Sequence, residues 1–328
     1  MKKVLLLGLV ASLVLGLGML PAPAVAKEYK IKIGGGPTGG TFNVFTNAMA
    51  VYLPKKIPGL TATSVGSGGS VENLKRTSRG ESDFGIAYSV DSALGWQGKL
   101  PKDANKYQDL RMVGYLYGAP AQLVVRADSK FKSASDLKGK RVAVGNAGSG
   151  AAASAERFFR HIGVWDKFKP TFMGYSAAAS AFKDNKIDAF WVLVGPPNRS
   201  VIEASVQVKI RLLDVGVDAE KTGFYKAYAY SPTVIPAGMY GKGMPAVKSF
   251  QDSAMLVANA KLPADLVYAI TKTLWSKEGM MTMVTAKKLF AEMSLENGFR
   301  GASVMLHPGA VKFWKEQGKK IPANLMPK

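Results

Sequence analysis

Between Tyr29 and Pro54 the chain alternates apolar and polar positions for six residues, passes through a run of glycines, and continues with apolar residues at helical spacing up to a proline. The alternation predicts a strand over Tyr29–Gly34, and the helical spacing predicts a helix over Thr41–Leu53. The same sentence is repeated next. Gly59–Val65 reads as a strand that runs into "GSGGSVENL", where Ser70 is placed to cap a helix over Val71–Arg79 with Glu72 and Asn73 in its first turn. "ESDFGIAYSVDSALGW" then gives a strand ending at Tyr88, a polar turn at Tyr88-Ser89, and a helix.

Past Leu123-Val124-Val125 the pattern starts again, with a short capped helix, a strand over Arg141–Gly145, a small-residue loop and a helix from about Ala151. Strands are expected at Pro170–Tyr175, Asp188–Val194, Lys209–Val215 and Lys226–Tyr230, with a helix reaching Asn185 and a break at Gly195-Pro196-Pro197. From Pro236 onward three stretches, "LPADLVYAITKTLWSK", "TMVTAKKLFAEM" and "HPGAVKFWKEQG", have helical spacing, and the tail is expected to be mainly helical. Strands alternating with helices argue an α/β fold with doubly wound, largely parallel sheets. A second α/β unit set inside the first makes two lobes, residues 27–123 with 232–328 and residues 124–231. The chain would cross between them near 124 and 231, which makes a hinge with a cleft.

Ahead of all this, Met1-Lys2-Lys3, an apolar block over Val4–Leu20 and the small residues up to Ala26 read as a cleaved secretory signal over residues 1–26, and the expected location is the periplasm. The chain has no cysteine, which excludes disulfides, thiolate metal sites and thiol nucleophiles. Its net charge of +21 changes the picture of the cleft more than that of the fold. The lysines are dispersed, with no basic run of five or more, so the excess reads as a field that draws anions rather than as a nucleic-acid surface.

The glycine loops are where chemistry is expected. Gly34-Gly35-Gly36-Pro37-Thr38-Gly39 spells a dinucleotide fingerprint between strand and helix, yet the next strand, "LTATSV", ends with no carboxylate to hold a ribose. A phosphate-binding P-loop fails as well, because Thr41 stands where lysine is required. What remains is anion binding by the first amides of a helix, which lack internal partners and carry partial positive charge. Three such loops recur, at 36–41, 66–70 and 145–150. His161 and His307 sit at helix ends and read as surface or capping residues, no nucleophile elbow or metal motif occurs, and no cofactor is expected. Asp83, Asp91 and Asp188 are carboxylates that could approach the cleft, and Asp91 as a base would be the basis of an alternative, an exported enzyme acting on a small acid. A sensor with the same fold is the other alternative.

Together, "IGGGPTGGTF", "SVGSGGSVENLKRTSRGESDFGIAYSVDSA", "DLKGKRVAVGNAGSG", "NKIDAFWVLVGPPNRSVIEA", "TVIPAGMYG" and "HPGAVKFWKEQG" resemble the TAXI family, the extracytoplasmic solute-binding subunits of one class of TRAP transporter. The resemblance runs in order over nearly all of the chain after residue 26. It implies a two-lobed type II periplasmic-binding-protein fold, no enzymatic activity, a monomer, and a partner permease with fused small and large subunits driven by an ion gradient. It also implies a ligand such as glutamate, glutamine or a 2-oxo or dicarboxylic acid. That ligand would be held by Thr38, Gly39, Gly40 and Thr41, by Ser67, Gly69 and Ser70, and by Tyr88 and Ser89 on one side. Ser149, Gly150, Trp191, Gly195 and Pro196 would supply the other. Phe42-Asn43 stands where the family often has tyrosines, and Tyr88-Ser89-Val90-Asp91 where glutamine is frequent. Phe42 and Trp191 read equally as core residues, and Arg199 as a solvated helix start or as a second anion contact.

Overall fold

The computed structural model describes residues 28–37 and 40–327. The expected signal segment and the site candidates Thr38 and Gly39 lie outside the described residues. The first stretch holds β1 (Tyr29–Gly34), α1 (Thr41–Tyr52), β2 (Leu60–Val65), α2 (Ser70–Arg79), β3 (Phe84–Tyr88), α3 (Ser89–Gln97) and β4 (Leu110–Arg126). The second holds β5 (Arg141–Gly145), α4 (Gly150–His161), β6 (Lys169–Phe172), α5 (Tyr175–Lys183), β7 (Ala189–Leu193), α6 (Arg199–Gln207), β8 (Ile210–Leu213), α7 (Val215–Thr222), α8 (Phe224–Ala227) and β9 (Ser231–Ile235). The chain ends with β10 (Val247–Asn259), α9 (Ala264–Leu274), α10 (Lys277–Ala286) and α11 (Pro308–Glu316).

The apolar positions that predicted β1 and α1 are the ones that are buried. Ile31 and Ile33 point inward from β1, and α1 buries Phe42, Phe45 and Met49 at helical spacing. The strands join in one sheet of order β2-β1-β3-β10-β4-β7-β5-β6, with β8 beside β4 and β9 beside β10. Each half has three parallel strands, β2-β1-β3 and β7-β5-β6, flanked by antiparallel strands. This is the two-lobed α/β architecture expected.

Two long strands join the halves. β4 pairs with β10 up to Pro120 and with β7 from Ala121 onward, and Gln251 of β10 pairs with both Pro120 and Ser231. Proline has no N–H to donate, so Pro120 fits the point at which the ladder changes partner.

Several sequence expectations change. β10 was absent from the expected helical tail, because Gln251-Asp252-Ser253 interrupts its apolar run; Asp252 is nevertheless 2% exposed. The returning segment contains β10, which pairs with β3 and β4 of the first stretch and with β9 of the second. Lys226–Tyr230 is not a strand: α8 occupies part of it, with Phe224 stacked on Tyr230. The polar turn at Tyr88-Ser89 is absent, because α3 begins directly at Ser89. Ser70 is not the cap of α2 but its first residue, and Gly69 takes the cap position with φ of 123°, a conformation in which a side chain would be strained.

Candidate functional site

In each half, parallel strands set the starts of the following helices along one edge of the sheet. A cavity of about 510 Å3 is lined from both halves, and five of those helix starts border it. Gly40, Thr41 and Phe42 come from α1, and Gly69 and Ser70 from α2. Ser149 and Gly150 come from α4, Gly174, Tyr175 and Ser176 from α5, and Asn198, Arg199 and Ser200 from α6. The three glycine loops of the sequence are thus brought together, and two further helices join them. At each start the first amides have no partner inside the helix and carry partial positive charge.

The starts differ in what caps them. Gly40, Gly69 and Gly174 offer no side chain. In contrast, the Ser149 hydroxyl accepts from the Ala152 amide at 3.0 Å, and Asn198 Oδ1 accepts from the amides of Ser200 and Val201 at 3.0 and 3.2 Å. Gly150 is required by close approach, since a Cβ there would lie 2.3 Å from the Tyr88 ring.

The side chains add one unpaired cation. Lys287 follows α10 and donates from Nζ to Thr41 Oγ1 at 2.8 Å. It is held there by its neighbours in sequence: Met283 and Phe290 are fully buried, and the Phe290 ring packs 4.7 Å from Phe45 and 5.9 Å from Tyr117. Burial holds the Lys287 ammonium below its ordinary range, and among the described residues it has no carboxylate partner. The other lining cation, Arg199, is neutralised by Glu203 at 2.8 Å on the exposed side of α6.

The rings of Phe42, Tyr88 and Tyr117 form an aromatic wall, with Phe42 5.1 Å from Tyr88 and 6.4 Å from Tyr117. Burial pushes the Tyr88 and Tyr117 hydroxyls well above their ordinary range and that of Tyr175 to about 12, so all three stay protonated donors. Tyr88 donates to the Leu193 carbonyl at 2.6 Å, a bond between the two halves. The Tyr117 hydroxyl is buried without a hydrogen-bond partner.

Beneath this surface lies a buried charged cluster. The Ser70 hydroxyl accepts from the Tyr88 amide at 2.8 Å and donates to Asp91 Oδ2 at 2.6 Å. Asp91 pairs through Oδ1 with Arg157 Nη2 at 2.6 Å, and Arg157 Nε donates to the Tyr230 hydroxyl at 3.0 Å. Asp252 adjoins the cluster; burial, aided by the charge of Asp91, pushes its carboxyl up to about 8. With both oxygens engaged and no exposed surface, Asp91 is unsuited to act as a base. Asp83 accepts from the Lys32 amide, and Asp188 holds Arg141 in a two-point pair; neither borders the cavity. His307 caps α11, accepting from the Gly309 amide.

Of the residues expected to hold a ligand, Gly40, Thr41, Gly69, Ser70, Tyr88, Ser149 and Gly150 border the cavity. Ser67, Ser89, Trp191, Gly195 and Pro196 do not line it. Ser67 ties two loops together by donating to the Gly35 carbonyl and accepting from the Gly69 amide. The Ser89 hydroxyl donates to the Gly301 carbonyl. Trp191 is 1% exposed, stacks on Phe158 at 5.5 Å and donates to Ser154. Gly195 packs against Leu289, and Pro196 belongs to the connection that delivers Asn198.

The sequence reading missed Lys287, Tyr117, Tyr175, Ser176 and Asn198. Asn198 carried a signal, a capping residue after Gly-Pro-Pro. Lys287 carried none, since "TMVTAKKLFAEM" reads as one uninterrupted helix, whereas the structure breaks it at that residue.

Residues 33–318 match the model of the NMT1-like family. Among solved structures, the substrate binding protein of an amino acid ABC transporter aligns with a TM-score of 0.50 at 13% identity, covering 80% of this chain and 100% of that one. A mutant of ArgBP from T. maritima aligns with a TM-score of 0.49 at 15% identity over 80% of this chain and 96% of that one. The periplasmic aliphatic sulphonate binding protein SsuA from Escherichia coli aligns with 0.44 at 15% identity over 89% and 84%. The likeness to the first of these is one of fold, two lobes around a cleft, and by the match over most of its length the chain belongs to the NMT1-like family.

Proposed function

We propose that the protein is an extracytoplasmic solute-binding protein that captures a small organic anion between its lobes and delivers it to a membrane transporter. The observation that carries this reading is the convergence of five helix starts and one unpaired ammonium on a single cavity. Burying a carboxylate is costly unless donors match its oxygens, and helix amides and Lys287 are such donors. The fold is shared with a protein that serves a transporter for amino acids, which accords with a binding role. The finer reading follows the TAXI resemblance: a ligand such as glutamate, glutamine or a 2-oxo or dicarboxylic acid, a fused TRAP permease as partner, a periplasmic location and a monomeric chain.

In this reading the lobes are residues 27–123 with 232–328, and residues 124–231. The ligand first meets one lobe, and the other rotates over it about β4 and β10. Only a difference in shape between the empty and filled states can tell the permease which it has met.

The test is thermal unfolding of the protein, refolded to strip bound solute, against amino acids, dicarboxylates, 2-oxo acids and sulfonates. A ligand at 100 times its dissociation constant adds about 2.7 kcal/mol, a rise of a few degrees in midpoint. A rise with one small acid, with the acid recovered unchanged, supports the reading; chemical turnover of that acid, or binding of cationic compounds alone, overturns it.

A further inference from the structure

We propose that Lys287 is the head-group anchor of the cavity and that it selects organic acids carrying one negative charge on an apolar body. This rests on the proposed function and narrows its ligand from the small organic acids named there to the monoanionic ones.

The argument begins with an imbalance. Lys287 is half-buried and donates only to the neutral Thr41 hydroxyl, and no ion pair to it occurs among the described residues. A cation withdrawn from water without a counter-charge is unfavourable, so the site is complete only when an anion is present. The Thr41 hydroxyl that receives this bond lines the cavity and has the buried Tyr117 hydroxyl behind it. The ammonium, beside the Thr41 hydroxyl, keeps further N–H donors for one carboxylate or sulfonate. This pair lies at the start of α1, whose glycine cap leaves its first amides free of side-chain competition.

The rest of the lining decides the ligand's charge and body. The opposite wall has Arg199, but Glu203 already cancels it. One uncompensated side-chain charge favours one anionic group, and a second carboxylate would face Glu203. Between the two walls the ligand's body would lie against Phe42 and Tyr88, surfaces that reward apolar area.

The experiment is calorimetric titration of wild-type protein and of Lys287→Gln and Lys287→Arg with 4-methyl-2-oxopentanoate, its uncharged amide, and 2-oxoglutarate. Circular dichroism and the ligand-free unfolding midpoint check that both variants fold. The expected result is that the wild type binds the monoanion more tightly than the amide or the dianion. Lys287→Gln should weaken the monoanion by about 10- to 100-fold, the loss expected for a charged hydrogen bond, while Lys287→Arg restores most of it. Binding of the same acid to Lys287→Gln within threefold of wild type overturns the anchor and leaves the proposed function standing. Tighter binding of the dianion overturns the charge selection. A wild type that binds none of the acids here or in the wider panel overturns the function on which the inference rests.

Discussion

Arg157 and Lys287 are both basic groups withdrawn from water near the same cavity, and they are treated in opposite ways. Arg157 has a carboxylate at 2.6 Å and a tyrosine hydroxyl at 3.0 Å, all three groups buried. Lys287 has a single neutral hydroxyl. The difference separates polar groups that the protein has engaged with itself from polar groups it leaves for something else. Arg157, Asp91 and Ser70 hold α4 of one half to α2 and α3 of the other, behind the wall of the cavity. Lys287 and the Tyr117 hydroxyl hold nothing comparable. On this contrast, substitutions in the first group should cost stability, and substitutions in the second should cost binding.

The largest effect belongs to the engaged pair. Asp91→Ala leaves the Arg157 guanidinium buried without its counter-charge and should destabilise the fold by about 3–5 kcal/mol. Urea unfolding would measure it, and a loss under about 1 kcal/mol would break the contrast at its strong end. The double replacement Asp91→Leu with Arg157→Leu should recover much of that loss, because two apolar groups of adequate volume need no partners.

Asp252 offers a pH test of the same cluster. Its carboxyl is pushed up to about 8 in the folded state by burial and by Asp91, against about 3.9 when unfolded. Between those values the folded chain holds a proton that the unfolded chain has lost, so this contribution to stability is complete below about 4 and falls as pH rises toward 8. The slope is at most about 1.4 kcal/mol per unit, a loss on the order of 3 kcal/mol from pH 5 to 7. Unfolding midpoints across that range should decline in the wild type and flatten in Asp252→Asn. An identical decline in both would assign the slope to other groups.

The sequence made the frame of this site legible, and did so for a physical reason. Glycine loops between alternating strands and periodic helices are local patterns, and parallel strands then carry their loop ends to one edge, so Gly40, Gly69 and Gly150 could be placed at the cleft in advance. What was hidden depends on contacts distant in sequence. Trp191 reads identically whether its ring faces a ligand or Phe158. Asp252 sits in a strand whose polar middle looks like a loop until its neighbours bury it. Lys287 resembles any lysine on a helix until Phe290, anchored between Phe45 and Tyr117, breaks that helix and turns the ammonium toward Thr41.

Ser149 sharpens the contrast at intermediate size, because sequence reasoning assigned it to the ligand and the structure shows its hydroxyl accepting from the Ala152 amide. As an engaged cap it should cost about 1 kcal/mol when replaced by alanine, with the midpoint lowered by roughly 2–4 °C. Ser149→Ala that leaves the midpoint unchanged but abolishes ligand binding would move Ser149 to the other group.

The smallest expected change is the most discriminating one. Replacing Lys287 with methionine keeps the length of the stem and its packing against neighbouring side chains, and removes a charge that burial already disfavours. Without ligand, only the bond to Thr41 is lost, and a half-buried ammonium with no counter-charge is relieved of its partial desolvation. The two terms oppose each other, so the ligand-free stability should shift by no more than about 0.5 kcal/mol, against the several kcal/mol expected at Asp91. Paired urea titrations of Asp91→Ala and Lys287→Met, both without ligand, measure that difference directly. If Lys287→Met were as destabilising as Asp91→Ala, Lys287 would be an engaged structural cation like Arg157, and the division between groups that hold the fold and groups held ready for an anion would fail at the residue on which it depends.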